Sequence, residues 1–329
     1  MSQLSIHARK RTTRKIRRSV SSPTSAVVST VGTRPSGPIT PKFVHRVAED
    51  DILITSWTRL GEDRFHLSAD WTVAHGFFAP APRARHNEML VAQTIRQAGL
   101  LLAHAGFETP TADQYLMNKL QYSSDPGYPT VDRTMDAIEI DVRCVPSGRR
   151  SLDMHFVFSH EGTIFVTCSA AFSWVPANVY GRLRGAYASA RPAGAPAPVA
   201  PALVGRSAED EVTLAPTDTT SRWELRGDTG HLALLDHPVD HVPGLVLVEA
   251  AHQAAFAHAG PDGFVPTSTS IVPTKYVEFD TPCWIEARDV QGALPGSRAI
   301  EVTGIQHGEL TFRCVLTSCV NWPPAVGEW

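Results

Sequence analysis

The sequence predicts an α+β protein made of two similar domains, each with one long central helix wrapped by an antiparallel sheet. Two observations support this prediction. The same order of strand-like and helix-like segments occurs twice along the 329 residues, a length that suits two domains of ordinary size. An Ala- and Pro-rich stretch at 188–210 separates the two occurrences, and this composition is typical of an extended connector.

In the first half, the strand-like run RFHLSADW precedes a segment at 75–99 that turns into a helix, and alternating runs such as AIEIDVRCV follow. In the second half, RWELRGD precedes a similar segment at 231–255, and runs such as AIEVTGI follow. Apolar residues with a period of two indicate strands, whereas the Leu-, Val- and Ala-rich segments are too long for ordinary strands. We therefore expect one long helix and an antiparallel sheet in each half.

The two helical segments align without a gap at an offset of 156 residues, which pairs Gln97 with Gln253 and Gln93 with Glu249. One helix wrapped by an antiparallel sheet is the hot-dog architecture, so two copies in one chain predict a tandem (double) hot-dog fold. The predicted parts are a disordered basic arm at 1–42, a first hot-dog domain at 43–187, the linker at 188–210 and a second hot-dog domain at 211–322.

The net charge of -3 is unevenly distributed along the chain. Residues 1–42 contain nine Lys or Arg and no acid, whereas the rest contains 21 basic against 33 acidic residues. The body is therefore not expected to bind nucleic acid. The arm is rich in Ser, Thr and Pro, a composition that fits either solvated disorder or binding to an acidic partner.

Several classes of site and location are not supported by the sequence. No apolar run reaches the roughly 18 to 20 residues of a membrane helix, and the five cysteines are scattered without a CxxC pair, so we expect a cytoplasmic protein with reduced thiols and no membrane association. The histidines between 231 and 241 lack the helical spacing of a zinc protease site. Because nucleotide-binding glycine motifs and GxSxG are also missing, we expect neither a metal nor an organic cofactor.

The richest candidate site is the stretch DHVPGLVLVEAAHQAA at 240–255. Gly244 begins a helix whose first turn offers unpaired N–H groups and the positive end of the helix dipole, which could polarise a carbonyl oxygen. Glu249 lies in an otherwise apolar helix, where an unpartnered carboxylate is costly. His252 follows at i+3 on the same face, so the two side chains could form an acid/base pair. Equally, Glu249 could form a structural salt bridge, and His252 could be a hydrogen-bonded core histidine.

Further candidates lie around the starts of the two helices and along them. His241 and His231 could each contact a ligand or pair with Asp240 as a cap, and His75 could contact substrate or be a turn residue. We expect four residues to be catalytic, namely Glu249, His252, His241 and Gly244. We expect six to bind substrate, namely His231, Asp240, Gln253, His75, Gln93 and Arg96.

Eight short motifs are spread between residues 43 and 320. In the first half they are VHR at 44–46, the W-x-R-L-G-x-D-R-F spacing at 57–65, FFAP at 77–80 and LRG at 183–185. In the second half they are VDHVPG at 239–244, EAA-x-QAA at 249–255, EF-x-x-PCWI at 278–285 and VTG-x-Q-x-G at 302–308. Together they resemble the A-factor biosynthesis hot-dog family, the γ-butyrolactone synthases.

This resemblance implies transfer of a β-ketoacyl group from acyl carrier protein to the primary hydroxyl of dihydroxyacetone phosphate, in the biosynthesis of γ-butyrolactone signalling molecules. By position, Glu249 is the family's second-half glutamate, and we expect it to take the proton from the acceptor hydroxyl. The family usually has a glutamate in the first half and an arginine three residues after the second-half glutamate, where this sequence has Gln93 and His252. His252 and Arg96 are the candidates for binding the phosphate.

Two other functions fit the same residues. An acyl-thioester hydrolase could use the same glutamate and helix start with water as the acceptor. A catalytically weakened relative that binds an acyl ligand or a regulator would fit Gln93 and His252. For docking of the acidic carrier protein, the candidate basic patches are Arg143, Arg149 and Arg150, or Arg182 and Arg184.

Overall fold

A computed structural model describes residues 37–318 apart from 75, 79–87, 129–133, 193, 228–232, 235–236, 261–263 and 293–295. These residues belong to one compact unit, Gly32–Trp329. The elements of the first half are α1 (Pro41–Val44), β1 (Ile54–Arg59), β2 (Arg64–Ala69), α2 (Glu88–Leu101), β3 (Gln114–Ser124), β4 (Ile138–Gly148), β5 (Ser151–His160), β6 (Thr163–Val175) and α3 (Ala177–Arg184). Those of the second half are β7 (Leu214–Pro216), β8 (Arg222–Leu225), α4 (Gly244–Ala259), β9 (Ser268–Pro273), β10 (Trp284–Gln291), β11 (Arg298–Gln306) and β12 (Glu309–Ser318).

All the described strands form one antiparallel sheet with the order β1-β2-β4-β5-β6-β3-β9-β12-β11-β10-β8-β7. The first six strands belong to the first half, and the last six repeat the same order in reverse. The two halves join where β3 pairs with β9, with Leu120 opposite Ile271. The predicted α+β double hot-dog fold is therefore confirmed, with one continuous sheet shared by both halves.

The alternating strands bury one face, as their sequence pattern predicts. In β5, Leu152, Met154, Phe156 and Phe158 are buried in the hydrophobic core, while the residues between them are partly exposed. The core also includes most apolar residues of α2 and α4. Both long helices therefore pack against the buried face of the sheet.

The two long helices start at Glu88 and Gly244, which are separated by the predicted offset of 156 residues. In each helix a buried glutamine binds the backbone of the segment that precedes the first strand of its half. The bonds are Gln97 Oε1 with Leu53 N (2.8 Å), Gln97 Nε2 with Asp51 O (2.8 Å), Gln253 Oε1 with Thr213 N (2.9 Å) and Gln253 Nε2 with Glu211 O (2.8 Å). The equivalence of Gln97 and Gln253 confirms the internal repeat.

The stretch predicted as an extended linker contains a short 3-10 helix, Pro201–Val204. Val199 and Val204 are buried in the core, and Arg206 N donates to Pro201 O at 2.9 Å. The same turn occurs in the first half, since P-x-x-V-x-R is present at 41–46 and at 201–206. The domain boundaries remain predictions, and residues 1–36 of the basic arm lie outside the described part of the chain.

In the described ranges, no helix has the length and apolar character required to cross a membrane. Four cysteines, Cys144, Cys168, Cys283 and Cys314, are buried as free thiols, in agreement with their predicted place in the core.

Candidate functional site

A cavity of about 730 Å³ lies between α2 and the start of α4. From α2 it is lined by Ala92, Ile95, Arg96 and Leu100, and from the start of α4 by Pro243, Gly244, Leu245 and Leu247. Residues of β3 and the segment 273–278 complete most of its wall. Its size and largely apolar lining are those of a pocket for a small ligand.

The start of α4 presents backbone N–H groups at this cavity. Pro243 is the N-cap residue, and its carbonyl accepts from Val246 N at 3.0 Å and Leu247 N at 3.3 Å. Within the described residues, the N–H groups of Gly244 and Leu245 have no hydrogen-bond acceptor. These two donors and the positive end of the helix dipole therefore remain available for an electronegative ligand atom.

His241 also lines the cavity and is held by a carboxylate. Its Nδ1 lies 2.7 Å from Asp240 Oδ1, and its ring contacts Tyr276 edge-on with centroids 4.7 Å apart. A carboxylate can only accept, so Nδ1 carries the hydrogen and Nε2 of the neutral ring is the basic nitrogen. No hydrogen bond from the described residues reaches Nε2. This arrangement gives the cavity an oriented imidazole base.

Asp240 itself is fixed by neighbours in α3. Tyr180 Oη donates to Oδ1 at 2.8 Å, and Arg184 Nε donates to Oδ2 at 2.9 Å. Partial burial of Asp240 opposes ionisation, but the hydrogen bonds from His241, Arg184 and Tyr180 outweigh it and hold the pKa of this carboxyl below its usual range. Asp240 is therefore a carboxylate at neutral pH.

Glu249 lies elsewhere. It is 0% exposed and does not belong to the cavity lining. Arg206 donates to both of its oxygens, from Nε to Oε1 at 2.8 Å and from Nη2 to Oε2 at 2.6 Å. Gln253 Nε2 also donates to Oε1, at 2.5 Å. The carboxylate predicted to be the base is thus a member of a buried, bidentate ion pair.

The arginine that holds Glu249 has a counterpart in the first half. Arg206 Nη1 donates to Phe77 O (3.1 Å), in the segment before α2, whereas Arg46 Nη1 donates to Ala233 O (3.3 Å), in the segment before α4. Phe77 and Ala233 are again 156 residues apart. Arg206 therefore binds the segment before α2, and Arg46 binds the segment before α4. Through these two reciprocal contacts the two halves are interlocked.

Removing Arg206 is expected to destabilise the fold. The Arg206→Met variant should lose about 3–5 kcal/mol of unfolding free energy, because Glu249 would stay buried with an uncompensated charge. The double variant Arg206→Met/Glu249→Gln should regain much of this loss, since the unpaired charge is gone. Urea unfolding measures both, with Arg143→Met as control, because Arg143 and its partner Asp63 are both exposed and this pair should contribute about 1 kcal/mol or less. A single variant as stable as the control would contradict the role of Arg206.

His252 lies outside the cavity lining as well. Its Nε2 is 3.1 Å from Thr269 Oγ1 and 3.3 Å from Tyr122 Oη. Burial of the imidazole and the nearby Arg206 guanidinium lower the pKa of His252 to about 3. The ring is therefore neutral at physiological pH, which does not suit the predicted role of binding a phosphate by charge.

Glu88, at the first position of α2, is a buried acid that sequence reasoning missed. It is 4% exposed, and neither of its carboxyl oxygens has a hydrogen-bond partner among the described residues. Burial raises the pKa of Glu88 to about 8, which the neighbouring Ser124 hydroxyl opposes only in part. Its signal in the sequence was weak, because an acidic residue in the first turn of a helix is ordinarily exposed to solvent and stabilised there by the helix dipole.

The predicted site residues thus separate into groups. His241, Gly244 and Arg96 line one cavity, with Asp240 directly behind His241. Glu249 and Gln253 share the buried ion pair with Arg206. Gln93 is buried, and its Oε1 has no partner among the described residues. The predicted contacts His75 and His231 lie outside the described residues.

Three further residues at the site were not predicted as parts of it, namely Tyr180, Glu278 and Lys275. The LRG and EF-x-x-PCWI motifs contain Arg184 and Glu278, but nothing in their spacing indicates that Arg184 binds both Glu278 and Asp240. Over the ranges the structure describes, no group of three or more His, Cys, Asp or Glu side chains is arranged to hold a metal ion.

Comparison with known proteins gives consistent matches over both halves. A protein-family model described as "A-factor biosynthesis hotdog domain" matches residues 29–160 and 187–321. A protein from Streptomyces virginiae named "2-oxo-3-(phosphooxy)propyl 3-oxoalkanoate synthase" is 40% identical over 283 residues, covering 84% of this chain and 95% of the relative. A protein of the same name from Streptomyces coelicolor is 36% identical, covering 85% of this chain and 91% of the relative.

Among solved structures, the chain is similar to a tesB protein of Mycobacterium avium subsp. paratuberculosis, with 13% identity, a TM-score of 0.46 and coverage of 80% of this chain and 94% of that one. It is also similar to a hot-dog protein of unknown function from Alicyclobacillus acidocaldarius, with 13% identity, a TM-score of 0.41 and coverage of 85% and 97%.

Proposed function

The chain belongs to the A-factor biosynthesis hotdog family, and from this premise we propose that it is an acyltransferase that makes a 2-oxo-3-(phosphooxy)propyl 3-oxoalkanoate. The reaction joins a 3-oxoacyl group, carried as a thioester, to the primary hydroxyl of dihydroxyacetone phosphate. The observation that supports this proposal best is the cavity where His241, paired with Asp240, and the N–H groups of Gly244 and Leu245 meet an apolar wall.

The apolar part of the cavity suits the acyl chain. Its wall includes Ala92, Ile95 and Leu100 of α2 together with Met117 and Phe172 of the sheet. Burial of each methylene group contributes about 0.8 kcal/mol, so a chain of several carbons gains substantial binding energy there. The thioester carbonyl would then lie toward the polar start of α4.

In the chemical step, His241 Nε2 takes the proton from the acceptor hydroxyl. The hydroxyl oxygen attacks the thioester carbonyl, the new C–O bond forms, and the negative charge develops on the carbonyl oxygen. The N–H groups of Gly244 and Leu245 stabilise this oxyanion. The C–S bond then breaks, and the departing thiolate receives the proton from the His241 imidazolium. No covalent enzyme intermediate is required.

Two cations line the cavity and could bind the phosphate of the acceptor. Arg96 provides a permanent charge and a donor fork, and Lys275 lies in the wall with about half of its side chain exposed. Arg96 was predicted for this role together with His252. The neutral, hydrogen-bonded state of His252 favours Arg96 with Lys275 instead.

The same geometry favours His241 over Glu249 as the base. Glu249 is enclosed by Arg206 and Gln253 and lies outside the cavity lining, whereas His241 lies in the cavity wall. We propose that Glu249 anchors α4 to the segment around Phe77 through Arg206.

We further propose that the thioester arrives on an acyl carrier protein in the cytoplasm. Among the predicted docking residues, Arg184 is 5% exposed and binds two carboxylates, so it cannot contact a carrier. Arg182, in the same helix, is exposed, and Tyr187, shortly after that helix, lines the cavity. Docking near Arg182 would bring the thioester close to the cavity opening.

Mass spectrometry of the products tests the proposed reaction. We expect purified protein, 3-oxoacyl carrier protein and dihydroxyacetone phosphate to yield the phosphorylated ester, and expect little ester when dihydroxyacetone replaces its phosphate. Release of free 3-oxo acid at the same rate with and without the acceptor would identify a thioester hydrolase. Binding without turnover of either substrate would indicate a weakened relative, and both outcomes contradict the proposal.

A further inference from the structure

Behind the His241–Asp240 pair lies a mostly buried ion network whose side chains take no direct part in the proposed chemical step. The Arg184 side chain is 3% exposed. Its Nη1 and Nη2 donate to the two oxygens of Glu278 at 2.6 and 2.7 Å, while Nε and Nη2 donate to Asp240 Oδ2 and O at 2.9 and 3.0 Å. One guanidinium therefore joins two carboxylates that come from different segments of the second half.

The network is rigidly packed. The Arg184 guanidinium lies 4.2 Å from the Tyr276 ring centroid and 5.4 Å from that of Tyr187, and Tyr180 Oη donates to both oxygens of Asp240. Arg184 ends α3, the helix that follows the last strand of the first half. Side chains held by aromatic packing and several hydrogen bonds keep their partners in one geometry.

The charges in this network do not balance while His241 is neutral. Arg184 contributes one positive charge, and Asp240 and Glu278 contribute two negative charges. An imidazolium at His241 would bring the total to zero. In a partly buried site, where charges interact more strongly than in water, the net negative charge of the network attracts the positive charge that develops on the imidazole as it accepts a proton.

We propose that Arg184 and Glu278 are positioning residues for acyl transfer: Arg184 fixes Asp240 against His241, and Glu278 supplies the extra negative charge that stabilises the imidazolium formed when the acceptor loses its proton. This inference rests on the proposed function of His241. It extends that function by explaining why a second carboxylate, Glu278, lies in the cavity wall with only 12% of its side chain exposed.

The other ionisable groups around His241 set the background for any pH dependence. Asp240 and Tyr180 face it through hydrogen bonds and Tyr276 through its ring. Along the shared cavity wall lie His45, Arg96, Tyr115, Tyr187, His237, Lys275 and His307. A variant that changes Glu278 alone leaves all of these groups in place.

NMR titration of the imidazoles tests the charge argument without any substrate. The His241 signal is assigned as the one lost in His241→Asn. In Glu278→Gln, which is nearly isosteric, we expect the titration midpoint of His241 to be lower than in the wild type, because one negative charge of the network is lost. The matched control is Glu301→Gln, a carboxylate held by Arg288 and Arg313 outside the cavity, which should leave the midpoint unchanged. An unchanged midpoint in Glu278→Gln would overturn the proposal.

Kinetics separate charge from positioning. In Glu278→Gln, the acid limb of the pH profile of kcat should shift to lower pH together with the NMR midpoint. The KM for the acceptor should change little. Arg184→Lys keeps the charge but loses the fork, so kcat should fall about tenfold without a shift of the acid limb. Equal changes in kcat and KM in both variants would indicate a merely structural network. If the wild type transfers no acyl group, the proposed function fails, whereas the NMR result still reports on the network.

Discussion

Replacing His241 with Asn is expected to lower the single-turnover rate of acyl transfer by roughly 100- to 10,000-fold, the usual contribution of a general base. The Asn side-chain amide can still donate to Asp240 from about the position of Nδ1, so the segment before α4 should keep its conformation. Only the basic Nε2 is lost. Rapid mixing with 3-oxoacyl carrier protein and acceptor, followed by product quantification, measures the rate.

The matched control for this variant is His66→Gln. His66 also has Nδ1 held by a carboxylate, Asp141, at 2.8 Å, but it lies on the outer face of β2 and not in the cavity. Its replacement should leave the transfer rate unchanged.

Glu249→Gln distinguishes the two candidate bases. If Glu249 takes the proton, as the sequence predicts, this variant loses about two orders of magnitude or more in rate, while His241→Asn and Gln93→Ala lose far less. If His241 is the base, Glu249→Gln keeps a transfer rate much closer to that of the wild type than His241→Asn does, since the substituted side chain lies outside the cavity lining and its amide oxygen can still accept from Arg206. Cooperative unfolding of each variant must be confirmed first, so that a rate loss is not a folding defect.

Glu88 is expected to make the protein less stable as the pH rises. A carboxyl whose folded pKa is about 8, against about 4.3 when unfolded, contributes stability that is fully present below pH 4.3 and is lost progressively up to pH 8. Between pH 6 and pH 9 the loss should approach about 3 kcal/mol, at 1.36 kcal/mol for each pH unit over which only the folded state holds the proton. Urea unfolding at both pH values measures it.

Glu88→Gln should remove this loss, because the amide is neutral at every pH. The informative quantity is the stability difference between the wild type and the variant, since the titration of other groups cancels in it. Glu62→Gln serves as the control, because Glu62 is an exposed acid and should not alter the pH dependence. A wild type and Glu88→Gln pair with parallel stability profiles would show that Glu88 is ionised in the folded protein at neutral pH.

Much of the fold was predictable because it depends on local patterns. Period-2 runs placed β2, β4, β8 and β11, and the gapless offset of 156 residues related the two long helices to each other. The joining of β3 to β9 was not predictable, since strand pairing between halves depends on which edges meet. The segment 188–210 was difficult for another reason. Its Ala and Pro content indicates an extended backbone, but composition does not show that Val199, Val204 and Arg206 pack against the rest of the protein.

The site was only partly predictable. The stretch 240–244 could be singled out from the sequence because a Pro-Gly helix start and a histidine are local features, and in the structure residues 241–244 line the cavity. The partner of Glu249 was not identified, because Arg206 reaches it from 43 residues away and a sequence does not tell a catalytic buried carboxylate from a paired one. Glu88 was missed because its burial results from the packing of β3 and α2, not from its neighbours in sequence.

The interlocking of the halves through Arg46 and Arg206 has a bearing on how such a protein can diverge. In a symmetric homodimer every substitution appears in both subunits at once, so its two sites must change together. Here the equivalent positions lie on a single chain, and they already differ, with Gln93 opposite Glu249 and Arg96 opposite His252. Covalent fusion therefore allows the two halves to contribute different residues to one cavity, as Arg96 of α2 and His241 before α4 do.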